Sequence, residues 1–271
     1  MQNLSSWPSV LGATLLLGAC QDATEPTRGP ISLKAGSNAT ECHGVLTGPI
    51  FGDVVVPPDA ACALIGATVH GNVMALERSI LNVLENSTVF GDVEGEGTNG
   101  FAVGESVVYG DVRNTGGRGA FLFVARLPNG NIELEKMSGG PVGLEDNIVE
   151  QGSVKLAEIT DATVIGLSSN RVAGDVQVVR SFVNDYSIGA NIIGGELEVS
   201  DNEARFDIEI VRNTVGEDLE VRKNSATATI NVSLNTVADD LVCKNNVTAL
   251  FIGQPNVVGG KVKGQCGTGT V

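Results

Sequence analysis

The chain has 271 residues, with 17 Lys+Arg against 32 Asp+Glu and a formal net charge of −15. Phosphate neutralisation needs a basic face, so this balance argues against a nucleic-acid partner. Only 4% of residues are aromatic while 35 are Gly, which points away from a thick core and towards thin, regularly stacked strands.

Residues 1–19 carry no charged side chain, and Trp7 to Ala19 is mostly apolar. A run this short reads as the apolar region of a signal peptide, not as a membrane span. It ends Leu17-Gly18-Ala19-Cys20, which resembles the lipobox of bacterial lipoproteins; the resemblance implies that Cys20 becomes the lipidated first residue. The Lys or Arg usual ahead of the apolar run is missing, and an ordinary cleaved signal with Cys20 incidental is the alternative. Residues 20–38 are polar and Pro-containing, as expected of a flexible tether. The expectation is an exported protein, lipid-anchored to the cell envelope, that touches the membrane through its lipid alone.

From residue 39 to 271 a short element recurs. It appears as Gly52-Asp53-Val54, Gly71-Asn72-Val73, Gly91-Asp92-Val93, Gly110-Asp111-Val112, Gly130-Asn131-Ile132, Gly152-Ser153-Val154, Gly174-Asp175-Val176 and Gly195-Glu196-Leu197. Glu217-Asp218-Leu219 and Asp239-Asp240-Leu241 replace the Gly, and Gly260-Lys261-Val262 closes the series. The steps are 19, 20, 19, 20, 22, 22, 21, 22, 22 and 21 residues. The third position is always Val, Ile or Leu, and the residue two before the element is Val or Ile except at Pro128 and Glu150. Around these columns apolar residues alternate with polar ones, so one face of each short strand turns inwards. A single coil of this length cannot bury its own side chains, so the apolar face must be shared with the next repeat.

The pattern predicts an all-β, single-stranded, right-handed parallel β-helix of roughly ten to eleven coils of 19–22 residues. With coils about 4.8 Å apart the domain would be a rod on the order of 50 Å long. Leucine-rich repeats are the rival, but their first Leu would fall at Gly194, Gly216 and Ala238. Calcium-binding β-rolls need shorter repeats saturated in Gly and Asp. Asn170, Asn191, Asn213, Asn235 and Asn256 form one column and Asn202, Asn224 and Asn246 another. Stacked amides can bond along an axis, so a structural ladder is expected there. Sugar ligation by these Asn residues is the functional alternative.

Cys42 and Cys62 are 20 residues apart, and Cys243 and Cys266 are 23 apart. Four cysteines allow three connectivities. Pairing within each end places partners on neighbouring coils, within reach of a disulfide, and avoids spanning the whole rod.

Cys42-His43-Gly44-Val45-Leu46-Thr47-Gly48, Gly52-Asp53-Val54-Val55-Val56-Pro57, Thr68-Val69-His70-Gly71-Asn72-Val73 and the close from Asn256 to Cys266 resemble a widespread group of exported bacterial β-helix proteins. The resemblance covers most of residues 42–266 and implies a fold and a compartment but no activity. The Gly-Asp-Val and Gly-Asn-Val units are also similar to those of bactofilins, cytoskeletal β-helices that polymerise end to end. The signal and the four cysteines depart from that family.

For chemistry, His43 and His70 are the only histidines, and no Gly-x-Ser-x-Gly elbow, P-loop or dinucleotide fingerprint is present. No catalytic residue and no metal ligand set is expected. Asp53, Asp92, Asp111 and Asp175 are the candidate binding residues, since carboxylates on adjacent coils could act together; calcium is the one cation that such a column suggests. The bland reading of the column is a solvated acidic stripe. Residues 113–150 are expected to break register into longer loops, where a specific site could sit. The leading expectation is a monomeric, non-enzymatic structural or adhesive module with a glycan or an envelope protein as partner. A polysaccharide lyase or hydrolase of β-helix type, using surface carboxylates, is the alternative, and a filament former the third.

Overall fold

The computed structural model describes residues 39–247, 250–251 and 254–268. The signal, the lipidation site Cys20 and the tether to residue 38 lie outside the described residues. The fold is a β-solenoid of about ten turns, all-β and parallel throughout.

Among the described residues, one sheet of 12 strands collects the segment after each Gly-polar corner, as in Val93–Glu96, Val112–Thr115, Ile132–Glu135 and Val154–Ala157. Its register keeps every repeat aligned: Val54 pairs with Val73, Val73 with Val93, Val93 with Val112, and Val112 with Ile132. The run continues through Val154, Val176, Leu197, Leu219, Leu241 and Val262. From Val54 to Leu241 these side chains are buried in one axial stack. Fully burying such a side chain contributes roughly 1.5–3 kcal/mol, so the stack is a main source of stability. A second sheet of 22 strands holds, in most coils, a longer segment and a two-residue segment, as in Phe182–Gly189 and Ile192–Ile193.

Most coils turn between these segments on residues with positive φ. One corner carries Glu105, Val124, Asp146, Ser169, Ala190, Arg212 and Leu234, and another carries Arg78, Gly97, Gly116, Lys136, Glu158, Arg180, Asp201, Lys223 and Asn245. Val124, at φ 52°, is the β-branched member. Left-handed backbone of this kind costs about 1–3 kcal/mol at such a residue.

Residues 113–150 keep their register, which corrects the expectation of broken coils. Ala120 pairs with Val142 and Val142 with Ile165, while Leu127 pairs with Val149. Leu127 and Val149 are the buried residues of their short segments. Pro128 and Glu150 are therefore single extra residues in the following corner, and the insertion is absorbed without shifting either sheet.

The two ends differ. At the start, the Gly44 and Ile50 carbonyls accept bonds from Ala63 and His70 on the next coil. Among the described residues this strand pairs on one side only, and alternation turns the Pro49 position to the other, where its ring offers no N–H donor, a device that discourages edge pairing. The last coil is closed by the 3-10 turn Gln265–Thr268. Its Gln265 side chain accepts from the Asn246 amide N–H at 2.8 Å and returns a bond to the Asn246 carbonyl.

Candidate functional site

The polar columns are axial ladders. In the Gly-polar corner of most coils a side-chain oxygen accepts the backbone N–H of the same position one coil on. Asp53 Oδ1 accepts from Asn72 at 2.8 Å, Asp92 Oδ1 from Asp111 at 2.8 Å, Asp111 Oδ1 from Asn131 at 2.7 Å and Asp175 Oδ1 from Glu196 at 3.0 Å. Asn72, Asn131 and Ser153 serve the same role where the acid is replaced. All four candidate binding carboxylates thus carry a backbone bond along the axis. The second oxygen of Asp111 also receives Arg113, which reaches Glu133 at 3.1 Å and Glu94 at 3.7 Å. Among the described residues, no three His, Cys, Asp or Glu side chains are grouped to hold a metal ion.

The glycines of this corner explain themselves by contact. A Cβ on Gly91 would stand 2.7 Å from the Gly71 carbonyl oxygen, and one on Gly110 would stand 2.6 Å from that of Gly91. The coils touch backbone to backbone here, which only Gly allows at this spacing.

Inside the second corner, Asn170, Asn191, Asn213 and Asn235 are buried. Asn213 Oδ1 accepts both the backbone N–H of Asn191 at 3.1 Å and its side-chain amide at 2.9 Å. The Asn213 amide in turn donates to Ile188 O and to Asn235 Oδ1. Asn256 ends the column by accepting from Asn235. Asn202, Asn224 and Asn246 repeat the pattern at the third corner. Each of these amide nitrogens donates to a backbone carbonyl of the chain, so the amides act on the chain itself. The ladder runs further than the sequence reading placed it. Asn147 bonds Asn170 and starts the first column, and Ser181 and Gln265 bracket the second.

Both cysteine pairs form disulfides between neighbouring coils, Cys42–Cys62 with Cα atoms 5.5 Å apart and Cys243–Cys266 at 5.1 Å. Bridges of this kind are compatible with an exported protein. His43 lies 3.5 Å from Glu41 on the surface.

One column faces solvent with rings. Phe51, His70, Phe90 and Tyr109 stack in sequence, with centroid steps of 4.9, 5.2 and 5.2 Å and planes within 9–16° of parallel. Each of the four stands one residue ahead of the Gly that opens its coil's repeat element, at Gly52, Gly71, Gly91 and Gly110. The three carbocyclic rings remain 76%, 48% and 40% exposed in chain order.

No protein-family model, curated protein or solved structure matches this chain. The residues and their geometry therefore carry any functional reading.

One carboxyl stands apart. Glu196 is pushed above the usual carboxylate range, first by burial and then by the neighbouring Glu198, Asp218 and Asp175 charges, with Arg222 opposing.

Proposed function

We propose that the protein is an exported, lipid-anchored β-helix of the cell envelope, acting as a monomeric, non-enzymatic structural or adhesive module. Residues 1–19 serve as the signal, 20–38 as the tether from Cys20, and 39–271 as the rod. The observation that carries the reading is the engagement of the candidate carboxylates Asp53, Asp92, Asp111 and Asp175 in bonds to the next coil. A group fixed in a ladder stiffens a rod. The disulfides at both ends and the resemblance to exported β-helix proteins with bactofilin-like units support the same reading.

The test is metabolic labelling with a fatty-acid analogue in a bacterial host. Label should enter the chain, Cys20→Ala should abolish it, and the processed protein should show no tryptophan fluorescence, because the single tryptophan is Trp7. An unlabelled chain that stays in the cytoplasm with its tryptophan emission intact would contradict it.

Glu196, half-buried beside the Glu198, Asp218 and Asp175 carboxylates, is the group that a second reading would use, a lyase or hydrolase acting through surface carboxylates with or without calcium. Turnover of an acidic glycan that disappears in Glu196→Gln would establish that reading against the first.

A further inference from the structure

We infer that the exposed face carrying Phe51, His70, Phe90 and Tyr109 is a binding site for a neutral polysaccharide laid along the rod axis. This rests on the adhesive reading above and gives it a ligand class and a place.

Rings are scarce in this chain, yet three of its aromatic residues and a histidine gather in one exposed column. Beside them lies an open groove of about 470 Å³ whose lining includes Asn86, Thr88, Glu105, Val107, Val124 and Arg126. Groove and rings share a face. Thr88 and Val107 stand two residues before Phe90 and Tyr109, with the buried Val89 and Val108 between them, so all four side chains point outwards. The strained Val124 forms part of the groove wall.

An apolar strip beside a hydroxyl, an amide, a carboxylate and a guanidinium fits a ligand that is both C–H-rich and hydroxyl-rich. The ring edges recur once per coil over four coils, which suits a ligand that repeats along the same line. A peptide strand is a poor fit, because the backbone groups on this side are already bonded between coils, as in Val107 N–H to Ser87 O and Tyr109 N–H to Val89 O. An acidic chain is opposed by Glu105 and by the net charge of −15, and Arg126 is already held by Glu150 at 2.6 Å.

The experiment is calorimetric titration of the mature lipid-free chain with cellohexaose, chitohexaose and polygalacturonate, repeated with Phe90→Ala. Phe206→Ala, an exposed ring elsewhere, is the control. At least one neutral hexamer should bind saturably, and Phe90→Ala should weaken it by about tenfold while Phe206→Ala leaves it unchanged. Should Phe90→Ala fail to fold, the groove variant Asn86→Ala with Glu105→Gln carries the same expectation. The inference is overturned by silence from both neutral hexamers at millimolar concentration, by binding that ignores the ladder and groove variants, or by preference for polygalacturonate. Such results leave the labelling test at Cys20 untouched. Cleavage of a bound hexamer, lost in Phe90→Ala, would support this site while sinking the non-enzymatic reading.

Discussion

The two halves of the rod solve one stacking problem with different residues. In the second half the inner corners are filled by Asn, whose amides bond coil to coil at about 3 Å. In the first half the equivalent positions hold Ser87, Ser106 and Ala125, with Ala67 N–H bonding Ser87 Oγ at 3.1 Å and Ala125 N–H reaching Asn147. The outer corner trades in the opposite sense. The first half has a ring followed by a close-packed Gly, as in Phe90-Gly91. The second half has a small residue one place earlier, in Ala173, Gly194, Gly216, Ala238 and Gly259, and tolerates Glu217 and Asp239 where Gly stood. A Cβ on Gly216 would lie 2.9 Å from the Gly194 carbonyl carbon, so in these coils the residue before the corner position is close-packed as well. Exposed rings can stack only where that contact leaves room for them, which confines the aromatic column to the first coils.

The widest expected gap between the halves follows from their inner corners. Asn213→Ala should destabilise by roughly 3–5 kcal/mol, because it strands several buried groups that each cost about 1–3 kcal/mol. Ser106→Ala, with its bond to the Gly104 carbonyl at 2.7 Å, should cost only about 1 kcal/mol. Denaturant melts of the two variants measure the contrast, and equal effects would erase it. Replacing Cys42 and Cys62 by Ser should cost about 3 kcal/mol and free the first coil to exchange its amides. The same change at Cys243 and Cys266 should leave the last coil better protected, because Gln265 still closes the Asn column there. Gly91→Ala should cost about 1–3 kcal/mol by overpacking, with the damage confined to the first half in an exchange map.

The smallest effect is a pH dependence with two signs. The folded-state pKa of Glu196 is raised, so its charge opposes folding at neutral pH, and stability should rise as pH falls through that value. Asp59 and Asp240 are held below the usual range by bonds to Arg78 and Lys263, so their stabilisation is present above the ordinary carboxylate value and fades in more acidic solution. Thermal melts between neutral and acid pH should show a shallow rise followed by a fall. Glu196→Gln should remove the rise alone.

Much of the architecture was readable because each column of the repeat has a single physical cause. The aliphatic third position and the Asn columns are tied to burial and to self-pairing amides, and both have one-coil periodicity. Residues 113–150 were misread because Pro128 and Glu150 occupy a column by count, whereas the buried partners Leu127 and Val149 sit one residue earlier. Counting cannot see that a corner has lengthened while the strands have not moved. The acidic column was legible as a column but not as a ladder. Whether Asp92 faces ions or the Asp111 N–H depends on a corner geometry that residue type does not encode. The Phe51 ring was visible by its place before Gly52, yet its stacking on His70 required the coil spacing and the side-chain direction together.

The most direct test is hydrogen exchange of side-chain amides by NMR on asparagine-labelled protein. The amides of Asn170, Asn191, Asn213 and Asn235 should exchange orders of magnitude more slowly than those of surface residues such as Asn86 and Asn99. Exchange of all of them at the rate of a free amide would contradict an interior built on coil-to-coil ladders.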